Sequence, residues 1–569
     1  MHDLVIRGGQ VIDGSGSPRH TADVSIDGGR VVEVGQVSQR GARELDADGL
    51  LVTPGWVDVH THYDGQATWD PYLSPSCWHG VTTVVMGNCG VGFAPAAPDE
   101  HDWLISLMEG VEDIPGTALA EGLQWDWESF PQYLDALDRR QLAVDVGAQL
   151  PHGALRAYVM GHRGGDYQAV PTEAELAQMQ QLVSEAMRAG AIGFTTSRTR
   201  NHRSRDGAFT PSLTATEAEL LAVARGLREA GRGVIEAVGD FEDLDQEFAL
   251  LRKMAEVSGR PISITVIQTQ GAPHGWRKLL GLIGDAADDG LPIKAQVAAR
   301  AIGVLLGLEA TINPFIGHPS FGPLQALPLA EKVARLRQPE LRARITSEEA
   351  PEGLRMIAGD FERIFVLEDP PNYEPDPALS VASIARARGV TPSECAYDLL
   401  LENDGRTLLY SPFANYAEGN LDSLAEMLRS EHTVPGLSDG GAHVGLISDG
   451  SFPTTLMTLW GRDRTRGETL PLEWLVRQQS RATAELVGLR DRGLIAPGMR
   501  ADINLIDWDA LQAQRPEIQH DLPAGGKRIV QRARGYKATL VAGQVTHEDG
   551  EPTGALPDQL VRGAQPDPS

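Results

Sequence analysis

A chain of 569 residues with a formal net charge of −28 and 41% hydrophobic residues can bury a large core and has no basic excess for nucleic acid or an anionic membrane. Three cysteines (Cys77, Cys89, Cys395) make no even disulfide framework, and the opening Leu4-Val-Ile-Arg-Gly8 is no basic-then-apolar leader, so a cytoplasmic location with reduced thiols is expected. No run approaches the roughly 18 uncharged apolar residues of a membrane span. The expected partner is a small-molecule substrate, with a homo-oligomer left open.

Residues 1–52 read as short strands: Leu4-Val-Ile6, Gln10-Val-Ile12, Ala22-Asp-Val-Ser-Ile26 and Arg30-Val-Val-Glu-Val34, with Gly8-Gly9, Gly14-Ser-Gly16 and Asp27-Gly-Gly29 as turns. This is too little to enclose a core. The same pattern returns within 485–548, in Ala501-Asp-Ile-Asn-Leu-Ile-Asp507 and Lys537-Ala-Thr-Leu-Val541. Between the ends, in 53–484, candidate strands fall at 57–62, 82–87, 143–149, 191–196, 233–238, 262–268, 292–298 and 434–439. Helical patterns lie between them; Thr172-Glu-Ala-Glu175 and Thr216-Glu-Ala-Glu219 open two as capping boxes. Eight strands with interposed helices is the count of a (β/α)8 TIM barrel, whose catalytic groups sit at the C-terminal strand ends. The segment from about 300 to 430 fits no simple βα unit and is expected to be an insertion capping the site, with strands at Arg363-Ile-Phe-Val-Leu367 and Leu408-Leu-Tyr410. The Pro, Asp and Gly-rich stretch 549–569 is expected to be a loose tail.

The most informative stretch is Leu51-Val-Thr-Pro-Gly-Trp-Val-Asp-Val-His-Thr-His62. In an extended strand His60 and His62 point to one face, and two imidazoles on one face supply half of a four-coordinate metal site. Near the far end of the barrel, Val434-Pro-Gly-Leu-Ser-Asp-Gly-Gly-Ala-His443 offers Asp439, which beside a metal can ligate it and move a proton, and His443, a further ligand or a donor to substrate. Taken alone, Asp439 in a Gly-rich turn is a simple turn former.

Thr53-Pro-Gly-Trp-Val-Asp-Val-His-Thr-His62 resembles the first-strand signature of the amidohydrolase superfamily. Tyr63-Asp64, Gly80-Val-Thr-Thr-Val84 and Gly87-Asn-Cys-Gly90 are similar to its N-acyl-D-amino-acid deacylase (D-aminoacylase) branch. The resemblance implies a barrel of the amidohydrolase type, with a small β-sandwich domain built from both chain ends. It also implies that Cys89, otherwise a small buried residue, is a zinc-binding thiolate, and that Asp439 is the strand-eight ligand and base.

Pro151-His-Gly-Ala-Leu-Arg156 resembles a motif of that branch and suggests that His152 faces substrate, while Arg156 reads equally as a structural ion pair. Strand four ends in Ser197-Arg-Thr-Arg-Asn-His-Arg203; Arg198 or Arg203 could hold a carboxylate, with Ser197 and His202 beside them, or the loop could be solvated and basic. Strand four has no lysine to bridge two metals.

Strands five and six depart from the superfamily pattern, with Glu236 and Gln268 where metal-binding histidines are usual. A standard two-metal site therefore cannot be carried over, and one zinc-like ion per chain on His60, His62, Asp439 and Cys89 is expected. The function that follows is deacylation of an N-acyl (D-)amino acid or related amide by metal-activated water. Two alternatives are a cyclic-amide hydrolase or cyclase on the same fold, and a metal-free binding subunit.

Overall fold

The computed structural model describes residues 1–349, 351–557 and 559–568. Eight parallel strands follow one another in chain order: β1 (Trp56–Asp58), β2 (Val81–Met86), β3 (Asp145–Pro151), β4 (Gly193–Arg198), β5 (Val234–Gly239), β6 (Ile262–Thr265), β7 (Ile293–Val297) and β8 (Thr433–Pro435). Each overlaps one of the expected stretches. Val81-Thr-Thr-Val-Val-Met86 shows no polar alternation because every residue of β2 is buried, as parallel barrel strands are on both faces.

The barrel closes where the continuations of β1 and β8 meet. Thr61 pairs in parallel with Gly440, His62 N–H donates to Gly440 O at 2.8 Å, and Asp439 N–H donates to His60 O at 3.1 Å.

Around the sheet stand, among others, α1 (His101–Glu112), α2 (His152–Met160), α3 (Glu173–Ala189) and α4 (Glu217–Ala230). Thr172 and Glu175 form a complete capping box on α3. On α4 only half of it forms: Thr216 accepts from Glu219 N–H, while the Glu219 carboxylate turns inward to His152 and Arg156.

Strands from both chain ends join one nine-stranded sheet, with Leu51–Pro54 paired antiparallel to Ile503–Ile506 and parallel to the end of His2–Val11. Its core draws Ile6, Val24 and Val52 from one end and Ile503 and Leu540 from the other. Because Leu51–Pro54 runs almost directly into β1, this sheet anchors the start of the barrel, and Trp56 Nε1 donates to Tyr536 Oη at 3.1 Å.

Between β7 and β8 the chain builds its own antiparallel sheet from Ile302–Leu306, Phe365–Val366 and Leu409–Ala414, over a separate core including Phe315, Leu336, Cys395 and Tyr397. Both strands expected in this insertion are present. It rests on the segments after β8 and β6: Leu305 N–H donates to Leu446 O at 2.7 Å and Asn415 N–H to Gln268 O at 2.9 Å.

The expectation of a loose tail is corrected. Gln559 N–H donates to Asp145 Oδ1 at 2.8 Å, Val561 N–H to Val146 O at 2.8 Å and Gly563 N–H to Gly190 O at 2.8 Å, and Leu560 and Val561 are buried. Asp145, at the N-terminal end of β3, also pairs with Arg492 and Arg500 at 2.7 Å each. Two apolar side chains and a buried carboxylate to satisfy outweigh the flexible composition. No helix among the described residues is long and apolar enough to cross a membrane.

Deleting residues 556–569 removes the burial of Leu560 and Val561, about 3–6 kcal/mol as an upper estimate. Calorimetry is expected to show a melting temperature several degrees lower, with unchanged metal binding; an unchanged melting temperature would refute the packing role of this segment.

Candidate metal centre

The His60–His62 segment lies between its two neighbours in the closed barrel. Thr61 N–H donates to Val85 O at 3.1 Å on one side, and the 439–440 backbone pairs on the other. The two imidazoles therefore emerge at the strand's C-terminal end, with ring centroids 5.5 Å apart. Across the closure, Asp439 Oδ1 lies 3.4 Å from His60 Nε2 and 3.6 Å from His62 Nε2.

Cys89 arrives from the turn after β2. The turn needs left-handed backbone at Gly87 (φ +85°) and Gly90 (φ +69°), and a Cβ on Gly87 would lie 2.4 Å from Gln149 O. Cys89 itself has φ 56°, and its Sγ stands 3.4 Å from His60 Nε2. One donor atom from each of His60, His62 and Cys89 lies within 4.8 Å of the others.

His60 is oriented from behind. Its Nδ1–H faces Gln296 Oε1 at 2.8 Å, and Gln296 Nε2 in turn donates to Ser263 Oγ at 3.0 Å, so the Nε2 lone pair points to Cys89 and Asp439. Burial lowers His60 to about 4 and His62 to about 3, so both rings are neutral at pH 7, as metal ligands must be. Neither nitrogen of His62 has a hydrogen-bond partner.

The rest of the pocket is acidic. Glu236, on β5, accepts from Cys89 N–H at 3.2 Å with one oxygen and leaves the other unpartnered. Burial pushes Glu236 up to about 8. Burial, with Asp439 and Asp64 nearby, drives Glu112 well above the usual carboxylate range; burial, then Glu236 and Glu112, raises the Cys89 thiol. Among the described residues no lysine or arginine forms an ion pair with Glu112, Glu236 or Asp439; the imidazoles of His60 and His62 lie nearest Asp439, and those of His62 and His443 nearest Glu112. Three soft or borderline donors, buried acids and no lysine or arginine partner suit a zinc-like ion.

Two expected substrate contacts, His152 and Arg198, are committed to carboxylates elsewhere. His152 is fully buried, its Nδ1 2.9 Å from Thr196 Oγ1 and its Nε2 2.9 Å from Glu219 Oε1; Glu219 also takes both of its hydrogen bonds from Arg156 at 2.6 Å. His152 therefore completes a structural ion-pair network. Arg198 spends its fork on Glu247 (2.7 and 2.9 Å) and its remaining NH1 on Ala215 O. Arg203 is exposed and lies 4.0 Å over the Phe209 ring. His202, in contrast, is lowered to about 3 by burial first, with His443, His62 and His60 near it, and its Nδ1 lies 3.0 Å from Ser197 Oγ. His443 is a quarter exposed at the mouth, with Nε2 3.5 Å from Glu112. Gln268 is structural, held by Ser423 and Ala417.

Glu112 and Gln296 were not singled out from sequence. Glu112 had a signal: it shares a helix face with Leu104, Met108 and Val111, all buried, and a carboxylate on an apolar face needs a reason. Gln296 had none beyond its place in a strand.

The amidohydrolase family matches residues 43–547. N-acyl-D-glutamate deacylase of Alcaligenes xylosoxydans xylosoxydans is 29% identical over 541 residues, 92% of this chain and 93% of that one. A solved D-aminoacylase, described by its binuclear metal centre with one-metal activation and second-metal attenuation, superposes with a TM-score of 0.66 at 24% identity over 99% of this chain and 100% of that one. N-acyl-D-glutamate deacylase from Bordetella bronchiseptica, in complex with zinc and a phosphonate mimic of the tetrahedral intermediate, gives 0.65 at 23% identity over 99% of both chains.

Glu219→Ala strands the Arg156 charge in the interior and is expected to cost about 3–5 kcal/mol in urea unfolding, with metal content per folded chain unchanged. Lost metal at unchanged stability would contradict a purely structural role for His152 and its partners.

Proposed function

The chain belongs to the amidohydrolase family, and from that premise we propose that it hydrolyses the amide bond of an N-acyl-D-amino acid with one divalent ion, zinc by preference, held by His60, His62, Cys89 and Asp439. The observation that carries the reading is the pairing of neutral imidazoles and a thiol with an acidic pocket that holds no lysine or arginine counter-charge among the described residues. When bound, the ion supplies Lewis acidity, polarising the amide carbonyl and making water a stronger acid.

The protein's own groups do the rest. His60 and His62 are buried, while the Asp439 side chain keeps 16% of its surface open, so Asp439 is the acid-base group that faces incoming water and substrate. It takes the proton of the attacking water and returns it to the leaving nitrogen. His443 and His202, on the mouth side, orient the substrate. A carboxylate on the substrate does not meet Arg198, which is committed to Glu247.

Asp439→Asn is expected to lower kcat on N-acyl-D-amino acids by about 10²–10⁴-fold, the range of a lost acid-base group. His60→Ala is expected to lower metal content below that of the wild type, which is expected near one ion per chain. Full activity in both variants would sink the hydrolase reading, and a metal-free wild type after reconstitution would favour a binding subunit.

A further inference from the structure

Glu112 ends α1, is 1% exposed, and has no hydrogen-bond partner at either carboxylate oxygen. One oxygen lies 3.3 Å from His62 Nδ1 and the other 3.5 Å from His443 Nε2. The backbone repeats the link, with His443 N–H donating to Glu112 O. The next residue extends it: Asp113 Oδ2 accepts from Gly445 N–H and from Thr311 Oγ1, both at 3.1 Å.

The helix that carries Glu112 is held against its neighbour. A Cβ on Gly110 would lie 2.1 Å from the Ser204 carbonyl carbon, and Arg205 N–H donates to Ser106 O at 3.0 Å, so α1 is pressed onto the loop after β4. A buried carboxylate at the C-terminal, negative end of a helix is unfavourable twice over. Its position is accounted for if it serves N–H groups across the gap.

Resting on the metal reading above, we propose that Glu112 is a positioning residue that joins two parts of the site: it accepts Nδ1–H of His62, turning Nε2 of that ring to the ion, and it holds the His443 ring at the mouth. Gln296 does the corresponding work for His60, at 2.8 Å. The two partners differ in charge. A neutral amide behind His60 orients the ring, whereas a carboxylate behind His62 also makes it the stronger donor. The acidic partner comes from outside the barrel strands, on a helix that follows the Cys89 turn, so the three groups His62, Glu112 and His443 tie together the first strand, the helix after the second and the loop after the eighth.

The test is a cobalt(II) titration of the whole metal-free chain against a competing chelator, read by visible absorption, for wild type, Glu112→Ala and Glu112→Gln. Removal of such an outer partner is expected to weaken cobalt binding about 10–100-fold in the Ala variant and to shift its visible spectrum. The Gln variant, which keeps shape and an acceptor oxygen but no charge, is expected to fall between, several-fold weaker than wild type, and it carries the test alone if the Ala variant does not fold. Affinity and spectrum matching wild type in the Gln variant, or in a folded Ala variant, overturn the positioning role. A wild-type chain that binds no cobalt overturns the metal reading itself, which keeps the two failures apart.

Discussion

The catalytic end depends on the seam where the barrel closes. Two backbone hydrogen bonds, Asp439 N–H to His60 O and His62 N–H to Gly440 O, bring the last strand's continuation against the first. They place residues nearly 380 positions apart in sequence within ligand distance, because Asp439 in left-handed backbone (φ 49°) turns its carboxylate back over the two imidazoles. Leu437 and His443 have positive φ as well (58° and 49°), so the seam carries a concentration of unfavourable backbone that the surrounding barrel must hold. The accessory sheet contributes by fixing Leu51–Pro54, just before β1, to strands from the far end of the chain.

Electrostatics give this geometry its purpose. Glu112, Glu236 and Cys89 are all buried near Asp439, and burial favours their protonated forms. Such a collection costs stability unless a cation enters. A divalent ion reverses the balance, since it favours thiolate and carboxylate over their protonated forms. Gln296 and Glu112 stand behind the two imidazoles, while Arg156 and Glu219 neutralise each other and His152 bonds to Glu219.

Much of the architecture was legible in the sequence for a physical reason. Parallel barrel strands buried on both faces leave continuous apolar runs, and all eight stretches were placed to within a few residues. The His-x-His spacing and the Asp439 turn were legible because period-two geometry and Gly-rich turns are local. The errors were all matters of partnership. His152 and Arg198 stand at strand ends, as site residues do, but each meets a carboxylate (Glu219, Glu247) from a helix that local pattern does not assign to it. Glu112 was missed for the converse reason: it belongs to a helix, and only the packing of α1 against the loop after β4 brings it to His62. The tail was misread because composition reports flexibility and not the Asp145 carboxylate waiting to accept Gln559 N–H.

X-ray absorption on the zinc-loaded chain tests the central claim most directly. One sulfur at about 2.3 Å with nitrogen or oxygen neighbours at about 2.0–2.2 Å is predicted, and the sulfur should vanish in Cys89→Ser. A shell of oxygen alone, or a sulfur that survives Cys89→Ser, would contradict a centre built from His60, His62, Cys89 and Asp439.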